Sequence, residues 1–63
     1  MQEITLVVGK NDWKVAEFIW KNGGIMNEFD GEVFSIFTDT DKPRLRFKNG
    51  DTVCFENNKF SIK

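Results

Sequence analysis

One helical segment, closed by two adjacent glycines, is the strongest constraint on how this chain can fold. Residues 13–22 carry apolar side chains at helical spacing over about three turns, and Gly23-Gly24 supply a left-handed exit from the helix. Asn11 or Asp12 is expected to cap the start of the helix with a side-chain oxygen. The rest of the chain must therefore pack around a single helix.

Extended segments stand on both sides of this helix. Residues 3–8 are rich in β-branched side chains and predict the first strand. After the helix, turn signals at residues 30–31, 48–50 and 57–58 separate further short apolar segments. This order predicts one small α+β domain over residues 1–63, β-α-β-β-β(-β), with the helix packed on a short antiparallel meander sheet.

The parity of side chains across each hairpin predicts which face is buried. A two-residue type I′ turn at residues 57–58 puts Phe55 opposite Phe60 and Val53 opposite Ile62, so both strands turn their apolar side chains to one face. The segment at residues 32–38 places Phe34 and Ile36 on one face and Val33 and Phe37 on the other, so parity does not settle its buried face.

The turn at residues 48–50 is open to two registers. A two-residue turn at Asn49-Gly50 mixes polar and apolar side chains on each face. A three-residue loop with Gly50 in a left-handed conformation places Leu45 opposite Val53 and restores one apolar face. We therefore expect the three-residue loop, in a hairpin that joins these two strands.

Composition limits the compartment and the kind of partner. A 63-residue chain can remove only about 60% of its unfolded surface from water, so a homodimer would add useful burial. The formal net charge is −1, which gives no overall attraction to nucleic acid or to an anionic membrane. A single cysteine, the absence of a basic and apolar leader, and the absence of a long apolar run predict a cytoplasmic protein that does not bind membranes.

Catalytic and metal chemistry find little support in the residue types. The chain contains no histidine and one cysteine, which excludes Ser–His and Cys–His pairs and the usual zinc ligand sets. Asp39 and Asp41 alternate as in a calcium loop, but the glycine and the distant glutamate of that loop are missing. We expect no enzyme activity, no cofactor and no metal site.

The helix carries more apolar surface than one sheet can cover. Its apolar positions span about 220° of the helix circumference, leaving a narrow polar arc. At least one large ring is therefore expected to be exposed or buried against another chain, unless the protein's own loops or first strand cover it. The candidate anchors for a protein partner are Trp13, Phe18 and Trp20.

A second candidate surface is the far face of the meander, where Arg44 and Arg46 alternate with buried positions. In the expected register Arg44 lies beside Cys54 and Arg46 beside Thr52, and both arginines would supply charge complementarity to a protein partner. A second hypothesis uses the same strand face to bind nucleic acid through five cations: Arg44, Arg46, Lys48, Lys59 and Lys63. Against it, no aromatic side chain stands on that face in this register to stack on bases. A solvated strand face is the plainest reading.

In its general shape, the β-α-β-β-β order on so short a chain resembles the compact accessory proteins that phages encode against host enzymes or defences. The residues themselves carry no family motif. The sequence thus predicts a non-catalytic protein-interaction module, of the kind a phage or mobile-element inhibitor would use to occupy a surface of a larger host protein. The alternatives are the nucleic-acid-binding sheet and a self-associating structural domain.

Overall fold

The structure is a computed structural model that describes residues 2–38 and 44–63. It confirms a small α+β domain with a single helix in the described part of the chain. The elements in chain order are β1 (Gln2–Thr5), α1 (Asp12–Lys21), β2 (Ile25–Phe29), β3 (Val33–Phe37), β4 (Leu45–Lys48), β5 (Thr52–Glu56) and β6 (Lys59–Ile62).

The strands divide into two antiparallel sheets of three strands each. The first sheet has the order β1-β5-β6 and the second the order β2-β3-β4, so the meander is split between two layers. Both sheets turn one face toward a shared core. Its fully buried apolar members are Leu6, Val15, Ile19, Phe34, Ile36, Phe47 and Val53.

The expected hairpin between β4 and β5 is wrong. Leu45 lies opposite Ile36 of β3, and Val53 lies opposite Ile4 of β1. A tight turn at residues 48–51 redirects the chain from one sheet to the other: the Asp51 N–H donates to the Lys48 carbonyl at 2.9 Å. The reason is competition from a distant segment, because β1 takes the edge of β5 that β4 was expected to occupy.

The hairpin between β5 and β6 is confirmed. Phe55 lies opposite Phe60 and Val53 opposite Ile62. The two turn residues, 57 and 58, have φ of 54° and 62°, the left-handed values that a type I′ turn requires. The β2–β3 loop contains three residues, 30–32, since Phe29 pairs with Val33.

The helix ends as expected but begins differently. Gly23 has φ of 93°, and the Gly24 N–H donates to the Ile19 carbonyl at 2.9 Å, which is the left-handed exit that the two glycines predict. At the start, no side chain caps the free helical N–H groups. Instead Asn11 Oδ1 accepts from the Val7 N–H at 2.6 Å, so this side chain fixes the loop that precedes the helix.

The segment that carries Asp39 and Asp41, considered above as a calcium loop, lies outside the described residues.

Candidate binding surfaces

The helix exposes two indole rings on one stripe. Trp13 and Trp20 are seven residues apart, which returns the helix to nearly the same direction after two turns and about 10.5 Å of rise. They are 64% and 70% exposed, the largest exposed fractions among the big apolar side chains in the described residues. We define these two side chains as the tryptophan stripe.

The other side of the helix anchors the stripe to the core. Val15 and Ile19 are fully buried, and Phe18 is half-buried and packs against the core cluster. Phe18 therefore lies between the core and the surface, whereas the two tryptophans point away from the core. The sequence named all three as anchors, and the structure groups only the tryptophans into one exposed stripe.

Charged side chains border the tryptophan stripe without covering it. Glu17 and Lys21 form an exposed ion pair at 3.6 Å, four residues apart on the helix. The Lys14 ammonium lies 5.7 Å from the centre of the Trp13 ring. A surface that joins large rings to a charged border is typical of protein-binding hot spots.

The outer face of the second sheet is the other surface with exposed rings. Ile25 is 60% exposed, and Phe29 and Phe37 are each 43% exposed. By strand register these side chains share one face with three cations. We call this surface the aromatic-basic face; its positions are Ile25, Asn27, Phe29, Val33, Ser35, Phe37, Arg44, Arg46 and Lys48.

Two arginines on this face lie over phenyl rings. The Arg44 guanidinium carbon is 4.5 Å from the centre of the Phe37 ring, and the Arg46 guanidinium carbon is 5.1 Å from that of Phe29. Such contacts combine cation–π attraction with burial of the arginine stem. Sequence reasoning placed no ring beside the arginines, and the structure overturns that expectation.

One feature of the sequence indicates that phenylalanine rings such as Phe37 are exposed. The strand at residues 33–37 is apolar on both faces, so one of its faces had to carry rings outward. What the sequence lacked was the pairing of this strand with β4, which sets Arg46 opposite Ser35. That pairing brings the rings and the cations onto one face.

Cys54 lies on the first sheet and not beside the arginines, contrary to expectation. It pairs with Glu3 and Ser61 in the first sheet and is only 2% exposed. Its thiol Sγ lies 3.6 Å from a carboxylate oxygen of Glu3. The arginines belong to the second sheet, so the expected contact between Arg44 and this cysteine does not form.

The outer face of the first sheet holds an exposed ion pair. Lys63 Nζ lies 3.1 Å from Glu3 Oε2. The hydrogen bond and the charge of Lys63 lower the pKa of Glu3, and the same contact raises the pKa of Lys63. This face is polar, and it keeps two of the predicted nucleic-acid cations, Lys59 and Lys63, on a different sheet from the arginines.

The described residues contain no cluster of three or more carboxylate or cysteine side chains able to hold a metal ion. Over the same residues, no helix has the length and apolar character needed to cross a membrane. A shallow, polar and open depression lies beside the β5–β6 turn. Its lining residues are Gln2, Asn22, Phe55, Glu56, Asn57 and Asn58.

Comparison of the chain with protein-family models, with curated proteins and with solved structures finds no match.

Proposed function

We propose that this protein is a non-catalytic protein-interaction module whose tryptophan stripe inserts into an apolar groove of a larger partner. The observation that carries the proposal is the exposure of Trp13 and Trp20 on one helix face. Tryptophan is enriched among the residues that dominate binding energy at protein interfaces. A helix that presents rings two turns apart suits a groove on the partner, as in other helix-in-groove recognition.

The residue types of the chain agree with a binding role. The chain has no histidine, so a positioned general base of the commonest kind is absent from the whole sequence. The single thiol, Cys54, is free and buried, in keeping with the reducing cytoplasm in which we place this protein. An accessory inhibitor of phage or mobile-element origin would act in this way, by occupying a surface of a host protein.

The test compares capture of a partner by the wild-type chain and by a Trp13→Ala/Trp20→Ala double variant. A partner captured from host lysate is identified by mass spectrometry and then titrated in purified form. Each tryptophan is expected to contribute at least about 2 kcal/mol, so its loss weakens binding about 30-fold or more.

A matched control removes exposed apolar side chains elsewhere. Val7 is 41% and Ile25 is 60% exposed, and neither belongs to the helix. The Val7→Ser/Ile25→Ser variant should bind the partner as the wild type does. Equal binding by the tryptophan variant would contradict the proposal. Sedimentation of the isolated chain gives a second check: a stable homodimer that both Trp→Ala changes abolish would assign the stripe to self-association instead.

A further inference from the structure

We propose that the aromatic-basic face is a second binding site, one for single-stranded nucleic acid. Phosphates would contact Arg44, Arg46 and Lys48, and bases would stack against the exposed rings of Phe29 and Phe37. This site lies on the second sheet, and the inference does not depend on the tryptophan stripe.

The positive charges of this face favour an anionic partner. Its three cations all come from β4 and the residue before it, and no outward position of the second sheet carries a carboxylate in the described residues. Two carboxylates, Asp30 and Glu32, stand in the loop at one end of the face. The face is thus locally basic although the whole chain has a net charge of −1.

Among the described residues, no ion pair joins the cations of this face to a carboxylate. The ion pairs in that part of the chain are those of Lys21 with Glu17 and of Lys63 with Glu3. Arg44 and Arg46 instead contact phenyl rings, which leaves their N–H groups available to phosphate oxygens. A purely apolar partner would have to desolvate these charges without compensation.

The middle of the face holds a polar group in need of a partner. Ser35 is 1% exposed, and its hydroxyl forms no hydrogen bond. It lies on β3 opposite Arg46, which reaches across this strand to Phe29 on β2. A phosphate that draws Arg46 outward would uncover the hydroxyl and accept its hydrogen bond. A buried hydroxyl without a partner is otherwise unfavourable.

The rings decide between kinds of anion. Exposed aromatic side chains on an open sheet stack on the unpaired bases of a single strand, while the bases of a duplex are already stacked on each other. In the part of the chain that the structure describes, this face is also a sheet surface without a projecting helix or ribbon to enter a major groove. An acidic peptide would satisfy the cations but would give the rings no stacking partner. Rings and cations together therefore favour single-stranded nucleic acid.

The direct test measures fluorescence anisotropy of labelled oligothymidylate and oligouridylate titrated with the full chain. Binding should weaken with salt, with a slope of log K against log salt of about −2 for three phosphate contacts. The Arg44→Gln/Arg46→Gln/Lys48→Gln variant should abolish binding at moderate salt. Phe29→Leu/Phe37→Leu keeps apolar side chains on the sheet and should weaken binding about tenfold by removing the stacking rings.

A matched control separates the local face from overall charge. Lys10, Lys14 and Lys21 are exposed and lie outside the second sheet. Their triple change to Gln removes as much positive charge and should leave oligonucleotide binding within about twofold of wild type, apart from long-range screening effects. Circular dichroism and thermal unfolding check that each variant is folded.

Several results would overturn the inference. These are no binding at low salt, equal loss in both triple variants, binding that ignores salt, and equal affinity for a polyglutamate peptide of matched length. The last result would assign the face to acidic proteins. Ser35→Ala separates binding from stability. It should leave the free energy of unfolding unchanged or higher, because an unpartnered hydroxyl is removed. It should nevertheless weaken oligonucleotide binding.

Discussion

The two sheets of this protein have the same number of strands and share one core, but their outer faces are opposite in character. The first sheet turns out Glu3 and Lys63 as an ion pair and joins Thr5 to Thr52 by a hydroxyl hydrogen bond of 2.8 Å. The second sheet turns out phenyl rings and arginines. Only the first of the two sheets has the polar outer face that is usual for a sheet exposed to water.

The difference between the two outer faces indicates why the rings are exposed. A very small domain always leaves some apolar surface in water, so one exposed ring would need no explanation. Among the described residues, the large exposed apolar side chains other than Val7 lie on the helix and the second sheet, and none lies on the first sheet. The concentration favours binding surfaces over incomplete burial, and three matched pairs of substitutions test the comparison.

The largest expected effect separates the two faces of the second sheet. Phe34 lies on the inner face, 1% exposed, with its ring 5.7 Å from that of Phe47. Phe34→Ala should lower the free energy of unfolding by about 3–5 kcal/mol, because it leaves a cavity in the core. Urea unfolding followed by circular dichroism measures this loss.

Phe37→Ala is the matched change on the outer face. It should cost less than about 1 kcal/mol, since the ring is 43% exposed and its cation–π contact is with an exposed arginine, Arg44. Similar losses for Phe34→Ala and Phe37→Ala would mean that the outer rings are structural, and the contrast between the faces would fail.

An intermediate effect is expected where both sheets meet the helix. A Cβ atom at Gly24 would lie 2.9 Å from Ile19 Cγ2, 3.1 Å from Phe60 of the first sheet and 3.3 Å from Ile36 of the second. Gly24→Ala should therefore destabilise the protein by about 1–3 kcal/mol through overpacking.

Gly9→Ala is not a suitable control for this substitution, because Gly9 has φ of 82°. Asn27→Ala, on the exposed side of β2, serves better and should change stability by less than about 0.5 kcal/mol. Thermal unfolding measures the stability of both variants. A Gly24→Ala protein as stable as the wild type would show that the side chains at the junction between the sheets can move to accommodate a Cβ atom.

The smallest effect concerns the polar face of the first sheet. The folded-state pKa of Glu3 is lowered from the usual 4.5, so its ion pair with Lys63 contributes stability above that pH and loses it as the pH falls through the lowered value. Because both groups are exposed, Glu3→Gln should destabilise only slightly at neutral pH.

The difference in unfolding free energy between wild type and Glu3→Gln should shrink as pH falls below 4.5. High salt should reduce the difference as well. Glu32→Gln, at an exposed carboxylate in the β2–β3 loop, is the comparison variant. A difference that stays constant across this pH range would mean that the ion pair does not stabilise the folded protein.

Local patterns in the sequence were enough for the elements and for one hairpin. The spacing of apolar residues and the two glycines predict the helix and its end, and the paired asparagines predict the β5–β6 turn with its register. These features depend on residues close together in the chain, whose backbone preferences and side-chain parity act over a few positions.

The division of the strands into two sheets required the tertiary structure. The turn after β4 permits a hairpin with good parity, yet β1 competes for the same edge of β5 from more than forty positions away, as in the pairing of Ile4 with Val53. Which pairing prevails depends on how the whole core packs, and local parity contains no information about that.

The binding surfaces divide in the same way. Helical spacing alone predicts that the apolar arc is too wide to be covered, and the exposed tryptophan stripe agrees with it. The sequence predicted the basic strand face but not the rings beside it, because the rings and the arginines lie on strands whose pairing only the fold assigns. The sequence determined which side chains could bind, and the tertiary structure decided which of them act together, since long-range strand pairing sets what shares a face.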